Sequence, residues 1–321
     1  MFLLAFAALI VERVIGYPDW LFHRIGHPVT WIGHLISRMD GAWNRETESF
    51  ATRRRNGVFA LIVLLGMTIA IAFFVETILL SVPLGAFALV LVAASLPAQK
   101  SLDEHVAAVA TALETGGLQA GRKAVSMIVG RDPEQLDEAA VCRAAIESLA
   151  ENFSDGVVAP AFWLGLGGLA GGAAYKAANT ADSMIGHRNA RFEAFGWAAA
   201  RFDDLINLPA SRLTALLFIC AALLVEGASP RNAVRAVLRD ANHHRSPNAG
   251  WPEAAMAGAL GIALAGPRSY GGRMIDARFM GEGGNPHLTA THIHQALKLA
   301  RVADALLIGL FGLLALIIWL I

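Results

Sequence analysis

The chain has 321 residues, of which 55% are hydrophobic and only 16% are charged. This composition is far more apolar than that of a soluble domain, so an integral membrane protein is expected. Lysine plus arginine and aspartate plus glutamate number 26 each. A chain without excess positive charge has no net field to attract nucleic acid, which is therefore excluded as an expected partner.

The hydrophobic runs predict an all-α, multi-pass membrane protein, because no segment alternates polar and apolar residues as strands do. Residues 1–15 form a marginal membrane segment without the basic start or cleavage site of a signal peptide. Residues 57–80 are long enough to cross the ~30 Å hydrocarbon layer. Pro83 then turns the chain into a shorter run ending near Ala98, which predicts a transmembrane hairpin.

The remaining apolar segments are of unequal length. Residues 205–225 and 304–321 are predicted to span the membrane, whereas 157–172 and 253–265 are short for a span and are candidates for re-entrant segments. The basic triplet Arg53, Arg54 and Arg55 before the first long span favours a cytoplasmic location for that end. The chain is predicted to form a single integral-membrane domain, residues 1–321.

A polar helical insert is predicted at about residues 99–156. Its first helix ends at Gly116 and Gly117, and a second short helix follows. A third helix is expected to start with Asp132 as the N-cap and Pro133 at the first helical position. Cys142 in this insert and Cys220 beyond it lack CxxC spacing, so both are interpreted as buried thiols rather than disulfide or zinc ligands.

The third helix of the insert carries a row of charges. Arg143, Glu147 and Glu151 are spaced i, i+4, i+8, and Asn152 and Asp155 project from the next sector. A solvated face with one Arg–Glu pair, worth a few tenths of a kcal/mol, is one interpretation. A functional site is the other, because the helix leads directly into an apolar membrane segment.

A second polar group lies between apolar segments, at residues 175–188. On a helix, Lys176, Asn179 and Ser183 share one side, and so do Asn179 and Asp182. A cation, amides, hydroxyls and a carboxylate suit a phosphate group with Mg²⁺. The alternative is a polar loop between membrane helices.

Two further polar groups follow. Asp203 and Asp204 meet the start of a span, and Asp204 is placed three residues before Asn207; a divalent cation and simple interfacial solvation are equally compatible with them. His244, Arg245 and Asn248 precede a proline-initiated helix, an arrangement suited to phosphate or carboxylate. The chain has no phosphate-binding P-loop, GxGxxG or GxSxG motif.

Together these motifs resemble the membrane-bound cobinamide (adenosylcobinamide phosphate) synthase family of cobalamin biosynthesis over nearly the whole chain. The resemblance rests on five stretches of sequence, one of which has Thr30 where a basic residue is expected. They are residues 27–33, 143–160, 176–187, 201–204 and 244–250.

The resemblance implies a ligase that joins the propionate carboxylate of adenosylcobyric acid, a corrinoid, to aminopropanol or its phosphate, with ATP as co-substrate and Mg²⁺. It also implies a multi-pass protein of the inner cell membrane whose active site faces the cytoplasm. The residues assigned as Mg²⁺ ligands are Glu147, Glu151, Asp155 and Asp182. The residues assigned to catalysis are Glu151, Asp155, Lys176, Asp182 and His187, with His187 as a possible base. The residues assigned to substrate or phosphate binding are Arg143, Asn152, Asn179, Ser183, Arg201, His244, Arg245 and Asn248.

Two alternatives remain at this level. A membrane prenyltransferase-like enzyme would use Asp182, Asp203 and Asp204 to hold Mg²⁺ on a diphosphate. A sensory or binding protein of related fold would show no turnover dependent on ATP or Mg²⁺. Topology adds an expectation, that residues 157–172 are re-entrant or that their polar flanks line one cavity, with 153–160 as a bend that brings the acidic helix to the membrane surface.

Overall fold

The computed structural model describes residues 1–129, 134–266, 268–270, 273–275 and 278–321. The predicted all-α class is confirmed, because helices make up most of the described chain. In chain order these helices are α1 (Phe2–Ile15), α2 (Asp19–Ile25), α3 (Pro28–Trp43), α4 (Phe50–Leu80), α5 (Gly85–Ala93), α6 (Gln99–Val125), α7 (Glu138–Phe153), α8 (Ala159–Ile185), α9 (Trp197–Ile206), α10 (Leu208–Ala221), α11 (Pro230–Asp240), α12 (Gly250–Leu260) and α13 (Ala290–Leu320).

A π-helical turn, Ser154–Val158, joins α7 to α8, and a 3-10 turn, Ala241–His243, follows α11. Four very short strands were not predicted. They are β1 (Leu264–Ala265), β2 (Arg268–Tyr270), β3 (Arg273–Ile275) and β4 (Phe279–Met280). β1 pairs with β4 and β2 with β3, both antiparallel. Strands of two or three residues are too short for an alternating pattern to be seen in the sequence.

Three helical segments of the described chain are long and apolar enough to cross a membrane: α4, the stretch Glu138–Ile185 and α13. The pair α9 and α10 becomes a fourth if the two helices are taken as one span. The predicted spans at 57–80 and 304–321 therefore coincide with long helices. The predicted hairpin is wrong in its second arm, because α5 has nine residues and is only about 14 Å long.

Residues 157–172 were expected to form a short or re-entrant segment, and the helix is interrupted within them at Gly168. Beyond this break α8 continues to Ile185, so the polar stretch from Lys176 to Ser183 is helical and the alternative of a loop is excluded. The re-entrant course of residues 157–172 stays a prediction. The predicted bend at 153–160 corresponds to the π-helical turn, where helical structure continues. The short apolar run near residue 253 is confirmed as short, since α12 has 11 residues.

The chain divides into two compact units. Unit 1 comprises Met1–Ala98, Ala159–Asn207 and Leu310–Ile321, and unit 2 comprises Gln99–Val158 and Leu208–Gly309. The predicted polar insert, residues 99–156, lies entirely within unit 2.

Unit 1 is built around α4 and α8, with α1, α3, α5 and α9 packed against them. Its core contains buried apolar side chains from α3, α4 and α8, together with the segment before α9. They include Ile36, Leu64, Ala181 and Phe195. Gly57 of α4 is required at this contact, because a Cβ there would collide with the backbone carbonyl of Phe195.

A break in α8 is capped by a carboxylate from α4. Gly168 has φ 62° and ψ −156° inside the helix, a conformation that glycine adopts most easily. The backbone N–H of Leu169 donates to Glu76 Oε2 at 3.1 Å. Glu76 thus satisfies a donor that the break removes from the helical ladder.

Unit 2 is built from two groups of packed helices, α6 with α7 and α10 with α11 and α12. Phe153 at the end of α7 stacks on Phe218 of α10, with ring centroids 5.2 Å apart. Gly117 adopts φ 67° within α6, as the sequence predicts for a boundary between two helices. The expected helix start at Asp132 and Pro133 lies outside the described residues; α7 begins at Glu138, with Asp137 as its N-cap.

Candidate active-site clusters

Three of the five stretches come together in unit 1, on α3, α8 and α9. The start of α3 lies beside the end of α8, because a Cβ on Gly33 would be 3.3 Å from Met184 Sδ. His27 is close enough to Lys176 for the two to interact electrostatically. We name the polar residues of α8 and α9 at this place, Tyr175, Lys176, Asn179, Asp182, Arg201, Asp203, Asp204 and Asn207, the unit 1 cluster.

A chain of hydrogen bonds runs through the unit 1 cluster. Tyr175 Oη donates to Asn207 Oδ1 at 2.8 Å, and Asn207 Nδ2 donates to Asp203 Oδ2 at 2.9 Å. Asn179 Nδ2 approaches the other Asp203 oxygen at 3.4 Å. Asp203 and Asn207 are both buried. Asp203 thus bonds Asn207 at i, i+4 spacing, and the predicted pairing of Asp204 with Asn207 at i, i+3 spacing stays a prediction.

The other carboxylates of the cluster are more accessible. Asp182 and Asp204 are half-buried, and Asp182 lies close enough to Asp203 and to Asp204 to repel both. Arg201, an exposed side chain, forms an ion pair with Asp204 at 3.7 Å. This repulsion raises the free energy of the charged form of each carboxylate.

His27 is an N-cap with a lowered pKa. Its Nδ1 accepts a hydrogen bond from the backbone N–H of Val29 at 3.2 Å. Burial, and after it the positive charge of Lys176, lower the pKa of His27 to about 4. Thr30, where a basic residue was expected, completes a capping box by accepting from the His27 backbone N–H at 3.1 Å. His27 is therefore a neutral imidazole at physiological pH.

The remaining predicted residues of this region are near the end of α8. Ser183 is exposed, and its hydroxyl donates to the Asn179 carbonyl at 2.9 Å, so it bonds its own helix. His187 is exposed just beyond α8, at a place from which its charge acts on Asp182. Its assignment as a base stays a prediction.

In unit 2, the charged side chains on one face of α7 bond to backbone groups in and after the short strands. Arg143 Nη1 donates to the Pro286 carbonyl at 2.6 Å. Glu147 Oε1 accepts from the backbone N–H of Ala265 at 2.9 Å, a residue with φ 57°. These two contacts give Arg143 and Glu147 a positioning role that the sequence did not predict.

The acids and amide at the end of α7 are more open. Glu151 and Asn152 are exposed, and Asp155 is half-buried within the π-helical turn. Asn152 Nδ2 donates to the carbonyl of Ser148 at 2.9 Å. Glu151 is thus the most exposed of the predicted acids of unit 2.

The loop before α12 is internally bonded. His244 Nδ1 accepts from Ser246 N at 3.0 Å, and Ser246 Oγ accepts from the backbone N–H groups of Asn248 and Ala249. The backbone donors that were expected to hold an anion are therefore partly used within the loop. α12 also begins at Gly250 and not at Pro252. Arg245 is exposed and is the side chain of this loop best placed to meet an anion in solution.

Asn248 is buried and bonds to α10. Its Oδ1 accepts from Ser211 Oγ at 3.1 Å and from Arg212 Nη1 at 2.9 Å. The guanidinium of Arg212 also lies 4.5 Å from the ring centroid of Trp251. His244 Nε2 lies 3.9 Å from the buried carboxylate of Glu253. Asn248 and His244 thus hold the loop on its helices.

The site residues assigned from sequence do not include Tyr175, Asp203, Asp204, Asn207 and Arg212. Asp203 and Asn207 carried an available signal, the i, i+4 spacing of a carboxylate and an amide on one helix. Tyr175 was identified only as the edge of a polar stretch. Arg212 gave no signal, since its partners are 36 and 39 residues further along the chain.

The described residues contain no group of three or more His, Cys, Asp or Glu side chains arranged to hold a metal ion. Mg²⁺ is commonly held by one or two carboxylates together with substrate phosphates. The accessible carboxylates Asp182 and Asp204 in unit 1, and Glu151 and Asp155 in unit 2, fit that kind of donor set.

Comparison with known proteins decides the family. A family model described as CobD/Cbib protein matches residues 5–300. The chain belongs to the CobD/Cbib family. A relative from Sinorhizobium sp is 49% identical over 312 residues, which cover 97% of each chain. A relative from Rhizobium meliloti is 49% identical over 311 residues, covering 96% of this chain and 95% of its own.

A third relative, from Rhodobacter capsulatus, is 48% identical over 314 residues, covering 97% of this chain and 96% of its own. All three relatives carry the name cobalamin biosynthesis protein CobD. No solved structure matches the chain. In this CobD/Cbib family member, three of the five stretches come together in unit 1, while residues 143–158 and 244–250 lie in unit 2.

Proposed function

We propose that this chain is an amide-forming synthase of cobalamin biosynthesis, which joins the propionate carboxylate of adenosylcobyric acid to aminopropanol or its phosphate. The observation that carries the proposal is near full-length similarity to relatives named cobalamin biosynthesis protein CobD. The helical, apolar fold supports a membrane location for such an enzyme.

The reaction makes two demands on the protein. A carboxylate does not react with an amine until it is activated, so we propose that ATP converts it to an acyl phosphate. The amine must then lose a proton before it attacks the acyl carbon, and phosphate leaves as the amide forms. Cationic groups around the phosphoryl group and an acceptor near the amine are therefore required.

The unit 1 cluster suits the amine. An ammonium group is bound well by carboxylates and amide oxygens, and Asp182 and Asp204 present partly accessible oxygens beside the buried Asp203. Asp203 is held by two amide donors, so it keeps a fixed orientation. We assign Asp182 and Asp204 to binding the ammonium group and accepting its proton, and Asp203 to positioning.

Several cations suit the phosphate groups. Lys176 is half-buried in unit 1, Arg201 is exposed on α9, and Arg245 is exposed in unit 2. Mg²⁺ bound with ATP would neutralise phosphate charge, and Glu151 and Asp155 of unit 2 would be its protein ligands. The inner membrane with a cytoplasmic active site is the proposed location, because Arg53, Arg54 and Arg55 precede the first long span and ATP is cytoplasmic.

Turnover in detergent tests the proposal. The purified chain, adenosylcobyric acid, ATP and Mg²⁺ are incubated with aminopropanol or with aminopropanol phosphate, and the corrinoid is analysed by mass spectrometry. The expected product has the mass of the two substrates minus water and forms with one of the two amines. A corrinoid of unchanged mass with both amines, from a chain that remains monodisperse, contradicts the proposal.

Variants then locate the chemistry. Lys176→Ala and Glu151→Ala are expected to reduce turnover by at least about tenfold. Each substitution removes a charged side chain that is assigned to the region where charge develops in the transition state. Gln119→Ala, at an exposed position of α6, is a control that should leave turnover unchanged. If Lys176→Ala and Glu151→Ala both stay within a few-fold of the parent, the residue assignments are wrong even if the product forms.

A further inference from the structure

The exposed face of α11 combines basic and aliphatic side chains in a regular pattern. Arg231, Val234, Arg235 and Leu238 follow the spacing i, i+3, i+4, i+7, which places them on one side of the helix. All four are exposed, with Val234 at 40% and Leu238 at 78% of their full accessible area. We call these four residues the α11 face.

The opposite side of α11 is already occupied. Ala233, Ala236 and Val237 are buried, and the helix packs against α12 so closely that a Cβ on Gly258 would collide with the Asn232 carbonyl. Asp240 is fully buried at the end of the helix and accepts from the backbone N–H of Gly281 at 2.8 Å. The packing of α11 against α12 therefore fixes the orientation of the helix and keeps the α11 face exposed.

Exposed leucines also precede α11 in the chain. Leu223 and Leu224 are 70% and 67% exposed in the turn after α10. α10 is part of a helix pair that is apolar enough for a membrane, so this turn leaves an apolar helix and leads to the α11 face. An aliphatic side chain exposed to this degree beside others is costly in water, at roughly 25 cal/mol per Å².

We propose that the α11 face lies in the membrane interface and binds anionic lipid headgroups. Val234 and Leu238 would enter the boundary of the acyl chains, while the guanidinium groups of Arg231 and Arg235 bind lipid phosphates. Neither arginine forms an ion pair with a residue in the described part of the chain, so their charges are available. Arg239 is paired with Asp240 at 2.5 Å and does not take part.

The size and chemistry of the face favour lipid over a protein partner. α11 has 11 residues and is about 16 Å long, so one face of it offers far less than the ~800 Å² per partner of a stable protein interface. Two positive charges flanking two aliphatic side chains match a layer of phosphates above acyl chains. The inference is independent of the proposed reaction.

Depth measurements in lipid nanodiscs test the inference on the full chain. A spin label is placed at Leu238→Cys, with Gln119→Cys on α6 as a comparison, in a chain carrying Cys142→Ala and Cys220→Ala. Collision rates with oxygen, which concentrates in lipid, and with a water-soluble nickel complex are measured in two bilayers. One bilayer is phosphatidylcholine alone and the other contains phosphatidylglycerol as well.

The label at position 238 is expected to show an oxygen-to-nickel ratio several-fold higher in the anionic bilayer than in phosphatidylcholine. Changing Arg231→Gln and Arg235→Gln together should abolish that difference while leaving the helix content unchanged. A label equally open to nickel in both bilayers overturns the inference. So does a label shielded from both reagents, which would indicate contact with protein.

Discussion

Asp203 is a buried acid whose side chain is held by two amide groups. Two asparagine amides donate to its two oxygens, and Tyr175 extends the chain of hydrogen bonds through Asn207. A buried donor that is left without its partner costs about 1–3 kcal/mol. The orientation of Asp203 therefore depends on its having two acceptor oxygens.

Asp203→Asn tests its positioning role. An asparagine has one acceptor oxygen where the carboxylate has two, so one of the two amide donors loses its partner. We expect kcat/KM for the amine substrate to fall by at least about tenfold, with the KM for the amine rising more than the KM for ATP. Steady-state kinetics with each substrate varied in turn measures the split.

Asp40→Asn is the matched control for Asp203→Asn. Asp40 is also a buried acid of unit 1, but it bonds Asn44 at 2.8 Å and forms an ion pair with Arg191 at 2.5 Å. Its loss is expected to lower thermal stability while the KM for the amine stays unchanged. Equal effects of the two substitutions on that KM would contradict a specific role for Asp203.

His27 makes a prediction about pH. Its pKa is lowered to about 4 in the folded chain, whereas an unfolded histidine titrates near 6.5. As the pH falls, the histidine of the unfolded chain is protonated before that of the folded chain. The free energy of unfolding therefore has its full value above pH ~6.5 and decreases as the pH drops towards about 4.

His27→Asn removes the titration and keeps an N-cap acceptor. The drop in apparent melting temperature between about pH 7.5 and about pH 5 should be smaller in this variant than in the parent, as measured by scanning fluorimetry in detergent. An equal drop in both proteins would show that His27 does not contribute to the acid sensitivity.

At the scale of elements, the break in α8 can be tested with two adjacent glycines. A Cβ on Gly168 would meet both Glu76 carboxylate oxygens at 2.9 Å, in a residue with positive φ. A Cβ on Gly167 would meet nothing within 4 Å. Gly168→Ala is therefore expected to cost about 1–3 kcal/mol.

The measurement is the apparent melting temperature of each variant in the same detergent. Gly168→Ala should be clearly less stable than the parent, whereas Gly167→Ala should be unchanged or slightly more stable, because alanine favours the helix. If the two substitutions have the same effect, the backbone conformation at Gly168 is not what limits the helix.

Helix existence was readable from sequence, whereas helix ends were not. The long apolar runs of α4 and α13 and the glycine break at Gly117 follow from composition and local conformational preference. The polar half of α8 was compatible with a helix or a loop from sequence, and in the fold Tyr175 and Asn179 bond to Asn207 and Asp203 at α9. Such partners are distant in sequence, so no local pattern predicts them.

The same limit holds for the candidate site. The stretches that carry the chemistry were identified, but the choice between neighbours such as Asp203 and Asp204 depended on which face packs. Arg143 and Glu147 were assigned to ligands from their spacing, and the fold directs them to the backbone at Pro286 and Ala265. Spacing along a helix predicts which side chains lie on one face, and only the tertiary contacts identify what those side chains bind.

For the whole molecule, the proposed synthase activity depends on one chemical step, the activation of a corrinoid carboxylate by ATP before the amine attacks. The fate of the carboxylate oxygen distinguishes this step from any other route to the same amide. If an acyl phosphate forms, one oxygen of the carboxylate leaves with the phosphate when the amide is made.

The measurement uses adenosylcobyric acid labelled with heavy oxygen in its propionate carboxylate, incubated with the purified chain, ATP, Mg²⁺ and the amine. Mass spectrometry of the released inorganic phosphate should find one heavy oxygen per amide formed. Amide product with unlabelled phosphate, or ATP consumption that does not depend on the amine and the corrinoid acid together, would contradict the proposed synthase mechanism.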